Sequence, residues 1–359
     1  MSPLDRASAR INAIGTAVPD HDIHAAFQSW AEARIGDRER SLFRRMAQRS
    51  GIEHRWSVLP RADDGGSPVE AGGFYANGMP FTGARMDLYG QAAPALALRA
   101  IAALGDQVSL DGITHLVVAS CTGFVAPGID QIIAARLGLP GSVERTLVGF
   151  MGCYAAVAAL RVAHHIARSD SSARVLVVTV ELSSLHLQPD STLEPLLAML
   201  QFGDGAAAAL VTAEGAGLVL DRFFAATLPG SDELIRWRIG DHGFAMHLSG
   251  EVPARIGHAL ADADFRATLT AARPPSDIAA WAVHAGGRSI LDAVEHGLGL
   301  DAQALSWSRS VLARFGNMSS ATLMFVLADM LAANLTGPGV ALAFGPGLAA
   351  EGFGFERVG

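Results

Sequence analysis

Two pairs of small or reactive residues recur along the chain at almost the same offset, and that repeat limits the folds open to it. Cys121 closes the apolar run from Ile113 to Ala119, and His284, 163 positions later, closes the run from Ile278 to Val283. Cys153, in Val148-Gly-Phe-Met-Gly-Cys153, and Asn317, in Arg314-Phe-Gly-Asn317, stand 164 apart. Phe202-Gly-Asp-Gly is echoed by Phe344-Gly-Pro-Gly at the shorter offset of 142. Self-similarity of this kind marks a structural unit used twice. Two similar halves are expected, packed about a pseudo-twofold axis. The join is placed near residues 215–235, where Gly215, Gly217 and Pro229-Gly-Ser-Asp232 interrupt the pattern, giving halves of residues 1–225 and 226–359.

Within this frame strands and helices alternate. Arg10 to Ala17 reads as a strand before a turn at Pro19, and Ala25 to Gln48 as helical segments broken near Gly36. Residues 60–85, with Asp63, Asp64, Gly65 and Gly66, lack a period and read as an excursion loop. Asp87 to Leu104 and Gly128 to Leu137 have helical spacing, whereas Ile113 to Ala119, Arg174 to Thr179 and Ala206 to Val211 are continuous β runs. The fold class is α/β, a mixed or parallel sheet with helices on both faces. With 50% hydrophobic and 17% charged residues, the chain can bury a deep core.

Charge and cysteine usage exclude several functions. At a net charge of -8 and without a long basic block, the chain lacks the cations a nucleic-acid partner requires. Met1 to Ile11 is polar with no apolar core, so no secretory leader is read there, and no apolar run approaches the ~20 residues of a bilayer crossing. Two cysteines make neither a disulfide framework nor a four-thiolate zinc site. A cytoplasmic protein with free thiols and no metal is expected.

Cys153 precedes the apolar helical run Tyr154 to Ala163, and a helix N-terminus favours a thiolate. It reads as a nucleophile or as a buried structural cysteine. His284, followed by Ala285-Gly-Gly287, emerges at a strand end, able to pair with a thiolate and polarise a thioester carbonyl, or else to sit satisfied in the core. Asn317 precedes the helical run Thr322 to Leu331, as its cap or as a catalytic amide. If the halves meet at their centre, thiol, imidazole and amide converge.

Ile11-Asn-Ala-Ile-Gly-Thr-Ala-Val-Pro19, Gly152-Cys-Tyr-Ala, Phe202-Gly-Asp-Gly-Ala-Ala-Ala208, Val283-His-Ala-Gly-Gly-Arg-Ser-Ile-Leu-Asp292, Gly316-Asn-Met-Ser-Ser-Ala321 and Phe344-Gly-Pro-Gly-Leu348 lie in order along nearly the whole chain. Together they resemble the chalcone synthase-like type III polyketide synthases of the thiolase superfamily. The last two motifs set the chain apart from the related ketoacyl synthases III, and Glu181-Leu-Ser-Ser-Leu-His186 looks bacterial. The resemblance implies a thiolase-like, layered α-β-α-β-α core and a homodimer. It also implies an acyl starter on Cys153, decarboxylation of malonyl-CoA beside His284 and Asn317, and no cofactor beyond the CoA thioesters.

The resemblance further assigns Phe202 as an aromatic gatekeeper and aligns Met246 with a second one, here a thioether. Trp237 falls near a pocket glycine of plant members, Ser183 and His186 near pocket threonines. Cys121 and Thr122 become wall residues, and Ser319 and Gly345-Pro346-Gly347 substrate contacts. Arg45 and Arg49, on one helical face, are matched to CoA-contacting positions, with Gly286, Gly287 and Ser289 beside them. A methionine that crosses the dimer in the family is replaced around Val125 or Ala126. The expected product is a resorcinol, a phloroglucinol or a pyrone, made from a long aliphatic starter. A single-round ketoacyl synthase III-like enzyme using acyl carrier protein, and a non-enzymatic acyl-binding protein of the same fold, are the competing readings.

Overall fold

In the computed structural model, which describes residues 8–60, 62, 66–333 and 335–359, nine strands join in one sheet. The N-terminal residues read for a leader, up to Ala7, and Asp63-Asp64-Gly65 of the expected loop lie outside the described residues. In chain order the strands are β1 (Arg10–Ala17), β2 (His115–Ser120), β3 (Glu144–Gly149), β4 (Val175–Leu182) and β5 (Asp204–Thr212). They continue as β6 (Gly217–Thr227), β7 (Ala280–Val283), β8 (Pro338–Gly345) and β9 (Ala349–Val358). Across the sheet the order is β7-β8-β9-β6-β1-β5-β4-β2-β3.

Only Arg10 with Val219 and Ile11 with Leu218 join β1 to β6. On either side of that seam one pairing scheme is used twice. β1-β5 and β5-β4 are antiparallel and β4-β2 is parallel; β6-β9 and β9-β8 are antiparallel and β8-β7 is parallel. β3 adds a further parallel strand to the first half, whereas in the second half the helix Ser306–Phe315 precedes Asn317. Because β6 pairs along β9, it belongs to the second half, and the join lies upstream of Gly217, not at residue 225. Gly215 and Gly217, at φ 87° and 146°, turn the chain there, while Pro229-Gly230 opens a loop inside the second half.

Side chains alternate across a strand, and that parity sorts the core into layers. Val117, Ala119, Val175, Val177, Ala207 and Ala209 face the same cluster as Ala280, Ala282, Ala341 and Ala343 of the other half. Their neighbours Leu116, Val118, Leu176 and Val178 face a second cluster, and Trp281, Val283, Val340 and Leu342 a third. The shared cluster is filled by the helices Ala155–Ser169 and Ser320–Ala332. A helix covered on every side must be apolar all round, and Ala155 to Leu160 and Ser320 to Leu327 are buried without a break. The helix Thr82–Gly105 covers the first half, and Val252–Ala261 and Arg288–Leu298 cover the second. The five expected layers are therefore present, with the two reactive segments at the starts of the two central helices.

Candidate active site

After β3 the chain turns through Phe150 and Gly152, at φ 57° and 79°, and delivers Cys153 in the single turn Gly152–Tyr154 that leads into the first central helix. Glycine is required at 152 on two counts: the positive φ, and the ring of Pro346, which an added Cβ would overlap. Gly152→Ala is expected to cost about 3 kcal/mol, from left-handed strain of ~1–2 and overpacking of ~1–3. Calorimetry should show a lowered Tm; an unchanged one means that the Pro346 loop has no fixed seat on this turn.

Asn317 enters from the other half. The preceding helix stops at Gly316, at φ 69°, and Asn317 then bridges in parallel to Phe202. Its N–H donates to the Gln201 carbonyl (2.8 Å) and its carbonyl accepts from the Gly203 N–H (3.0 Å). In the side chain, Oδ1 accepts from the Ser319 N–H (2.8 Å) and Nδ2 donates to the Gly286 carbonyl (3.2 Å). Asn317 is not the cap of the helix Ser320–Ala332; Ser319 occupies that position, at φ 47°. The amide is thus oriented by its own loop and reaches the segment just past His284.

The Cys153 thiol accepts from the Ser319 hydroxyl, Oγ to Sγ 3.9 Å. Burial pushes it up to about 12; Ser319 pulls it back, the Glu181 carboxyl adds to the rise, and Asn317 lowers it in turn. The lowered pKa expected at a helix N-terminus is therefore reversed, because full desolvation of a thiolate outweighs one turn of backbone dipoles and the donors beside it. His284 is 2% exposed, its backbone N–H donates to the Leu342 carbonyl (2.8 Å), and neither ring nitrogen has a partner among the described residues. Burial alone brings it down to about 3, so the imidazole is neutral at working pH.

Glu181 escaped the sequence reading as a site residue. It is fully buried, accepts from the Cys121 N–H and the Thr122 hydroxyl (both 2.9 Å) on Oε2, and accepts from the Ser320 hydroxyl on Oε1. Burial holds it up at about 7 against those three donors. An acidic residue closing an apolar strand run was the available signal, since such a charge survives only where partners are waiting. Cys121 lies against the turn that carries Cys153, its sulfur accepting the Gly152 N–H at 2.9 Å, and Thr122 accepts from the Leu182 N–H at 2.8 Å.

A mostly apolar cavity borders Phe202. Phe202, Met246, Ser183, His186 and Trp237 line it, with Phe27, Trp30, Tyr75 and Phe244, which sequence reasoning missed. Its wall is tied down. His186 donates from Nε2 to the Thr122 carbonyl (2.8 Å), accepts the Phe244 N–H on Nδ1 (3.0 Å), and stacks on the Phe244 ring at 4.2 Å. Trp237 donates from Nε1 to the Cys121 carbonyl (3.1 Å) and pairs across a hairpin with Met246. Cys121, Thr122, Ser319 and Gly345-Pro346-Gly347 do not line this cavity; Ser319 and Gly345 approach Cys153, Cys121 and Pro346 approach Gly152 before it, and Thr122 holds Glu181 and the wall residue His186. A Cβ at Gly345 would sit 2.6 Å from the Tyr154 ring and 3.4 Å from the Cys153 nitrogen.

Arg45 and Arg49 are exposed on the helix Asp37–Arg49. Arg288 Nη1 donates to the Arg49 carbonyl at 3.1 Å, which sets the end of that helix beside Gly286, Gly287 and the exposed Ser289.

The models of the chalcone and stilbene synthase N-terminal and C-terminal domains match residues 1–215 and 220–358. The chain is 35% identical over 289 residues to the "alpha-pyrone synthesis polyketide synthase-like Pks18" of Mycobacterium tuberculosis, 76% of this chain and 73% of that protein, and equally to its Mycobacterium bovis counterpart. Among solved structures, PKS-I from the brown alga Ectocarpus siliculosus superposes with a TM-score of 0.86 at 29% identity, covering 98% of both chains. The C-terminal type III polyketide synthase domain of Steely1, a type I/III hybrid from Dictyostelium, also gives 0.86, at 26% identity over 98% of this chain and 100% of that one.

Proposed function

We propose a reaction from one premise: the chain belongs to the chalcone and stilbene synthase family and is a type III polyketide synthase, an acyl-transferring enzyme. The reading is that Cys153 takes the acyl group of an acyl-CoA starter and that malonyl-CoA extends it repeatedly. The observation that carries it is the Asn317 loop, whose amide donates to the Gly286 carbonyl just past His284 while Ser319, two residues on, reaches the Cys153 thiol.

Neutral His284 takes the thiol proton as the Cys153 sulfur attacks the starter thioester, and CoA departs as its thiol with that proton. Malonyl-CoA then loses CO2, and the electron pair left behind becomes an enolate on the thioester oxygen. The imidazole N–H and the Asn317 Nδ2–H stabilise that oxygen as neutral donors that do not quench the carbanion, so the CoA thioesters are the only cofactors needed. The enolate carbon attacks the Cys153 thioester, a carbon–carbon bond forms, and the sulfur leaves. Further rounds give a poly-β-keto chain that cyclises to a resorcinol, a phloroglucinol or a pyrone. The apolar cavity beside Phe202 supports an aliphatic starter, and the printed name of the Mycobacterium relatives supports the pyrone. Arg45, Arg49, Gly286, Gly287 and Ser289 form the CoA mouth of this reading.

Incubation of the pure protein with malonyl-CoA and aliphatic or aromatic acyl-CoAs should release CO2, free CoA and cyclic products, read by mass spectrometry. Silence across the panel would overturn the reading, and one two-carbon extension left on a carrier would favour the ketoacyl synthase III alternative.

A homodimer and a cytoplasmic location complete the proposal. β3 is an edge strand with its residues mostly exposed, Leu147 at 45% and the adjacent Phe124 at 42%. Such an edge is normally covered, and a second copy does so. Leu147→Asp is expected to convert the dimer to a monomer in light scattering; an intact dimer would move the contact elsewhere. Among the described residues no helix is long and apolar enough to cross a membrane.

A further inference from the structure

The helix Asp37–Arg49 carries more than phosphate-binding cations. At about 100° per residue, Arg38, Leu42, Arg45, Met46 and Arg49 fall within one stripe of roughly 100°. All five are exposed, and Leu42 at 37% and Met46 at 45% are among the few large apolar side chains that face water. The opposite side, Phe43 and Ala47, is buried. Arg40 and Arg44 are committed to Asp37 (2.8 Å) and Glu32 (2.6 Å), whereas among the described residues no carboxylate pairs with Arg38, Arg45 or Arg49. The stripe therefore holds three free guanidiniums around two aliphatic side chains, next to the segment that follows His284.

A free nucleotide is held by cations and gains little from a leucine and a methionine on the rim. Arginine, methionine and apolar residues, with the exposed Glu39 at the stripe's edge, are instead closer to the composition of a protein–protein contact. Two aliphatic side chains on an otherwise charged helix are too few to sink into lipid. The chain's net charge of -8 repels an acidic partner over most of its surface, so this unpaired patch steers such a partner to the mouth of the site.

We propose that this stripe docks an acidic helix of an acyl carrier protein, which delivers the starter on its phosphopantetheine arm. The inference rests on the polyketide synthase reading and names its starter donor. In the transfer the acyl carbon breaks from the arm sulfur and bonds to the Cys153 sulfur, and the arm leaves as a thiol with the cysteine's proton.

The test compares dodecanoyl-loaded carrier protein of the fatty-acid type with dodecanoyl-CoA, malonyl-CoA being the extender in both. The wild type is set against a Leu42→Glu/Met46→Glu variant and an Arg38→Glu variant. Turnover of the carrier-bound starter should fall about 30-fold in the double variant, a loss on the scale of a central interface contact, while dodecanoyl-CoA stays within about threefold. Equal losses with both donors would assign the stripe to CoA. A wild type that uses dodecanoyl-CoA but not the loaded carrier overturns the docking and leaves the polyketide reading standing; a wild type inactive with both donors and with the wider starter panel overturns that reading as well. If the wild type, and not the variants, sediments with phosphatidylglycerol vesicles, the face belongs to a membrane surface and the proposal fails.

Discussion

Replacing Cys153 by alanine is expected to abolish polyketide formation, by at least about three orders of magnitude, because removing a covalent nucleophile leaves no acyl-enzyme to extend. Stability should barely change, since the side chain is small and its hydrogen bond with Ser319 is long, at 3.9 Å. Release of CO2 from malonyl-CoA should survive, because His284 and the Asn317 amide remain in place. The other thiol, Cys121, offers no substitute: burial and the Glu181 carboxyl push it well above the usual thiol range, and its sulfur is occupied by the Gly152 N–H. Mass spectrometry of products beside radiometric CO2 release separates the two half-reactions. Cyclic product at the wild-type rate would remove Cys153 from the mechanism.

His284→Ala is the second large effect. Loss of one preorganised donor to a developing oxyanion costs about 10²–10³ in rate, and decarboxylation should fall by that factor. The same substitution bears on the thiol. Burial holds Cys153 up at about 12 and His284 down at about 3, so both are neutral at working pH and a thiolate forms only as an ion pair with the imidazolium. Without it, alkylation of Cys153 by iodoacetamide at pH 7 should slow, and its rate should climb towards higher pH than in the wild type. Equal decarboxylation and superimposable alkylation profiles would show that His284 touches neither step.

Legibility in the sequence followed burial. β2, β4 and β5 were plain because they are covered on both faces and read as unbroken apolar runs. β3 was not read, since an edge strand carrying Glu144, Arg145 and Thr146 has no reason to be apolar. β6 is split from its own half by a boundary read near residues 215–235, because the glycines that start it also interrupt the pattern, as a tight turn at a sheet join must. That Cys153, His284 and Asn317 should converge is an expectation only the repeat supplies, as each residue alone has an ordinary structural explanation. Glu181 was hidden inside a strand pattern, and Phe27 and Trp30 of the cavity come from a helix whose packing partner no local period reveals. The direction of the Cys153 shift was misjudged for a related reason: the backbone dipole is local and readable, whereas the dryness of the chamber is a property of the finished fold.

The backbone bridge between Phe202 and Asn317 has a mechanical consequence. In the proposed reaction, with Phe202 as the gate, a bulky chain admitted by displacement of the loop would drag the carboxamide out of register with the sulfur and halt extension. On that reading, admission comes from rotation of the aromatic ring about a stationary main chain. Changes in product size should accordingly be sought in the bulk of individual side chains around that ring, with the strand beneath them acting as a fixed rail.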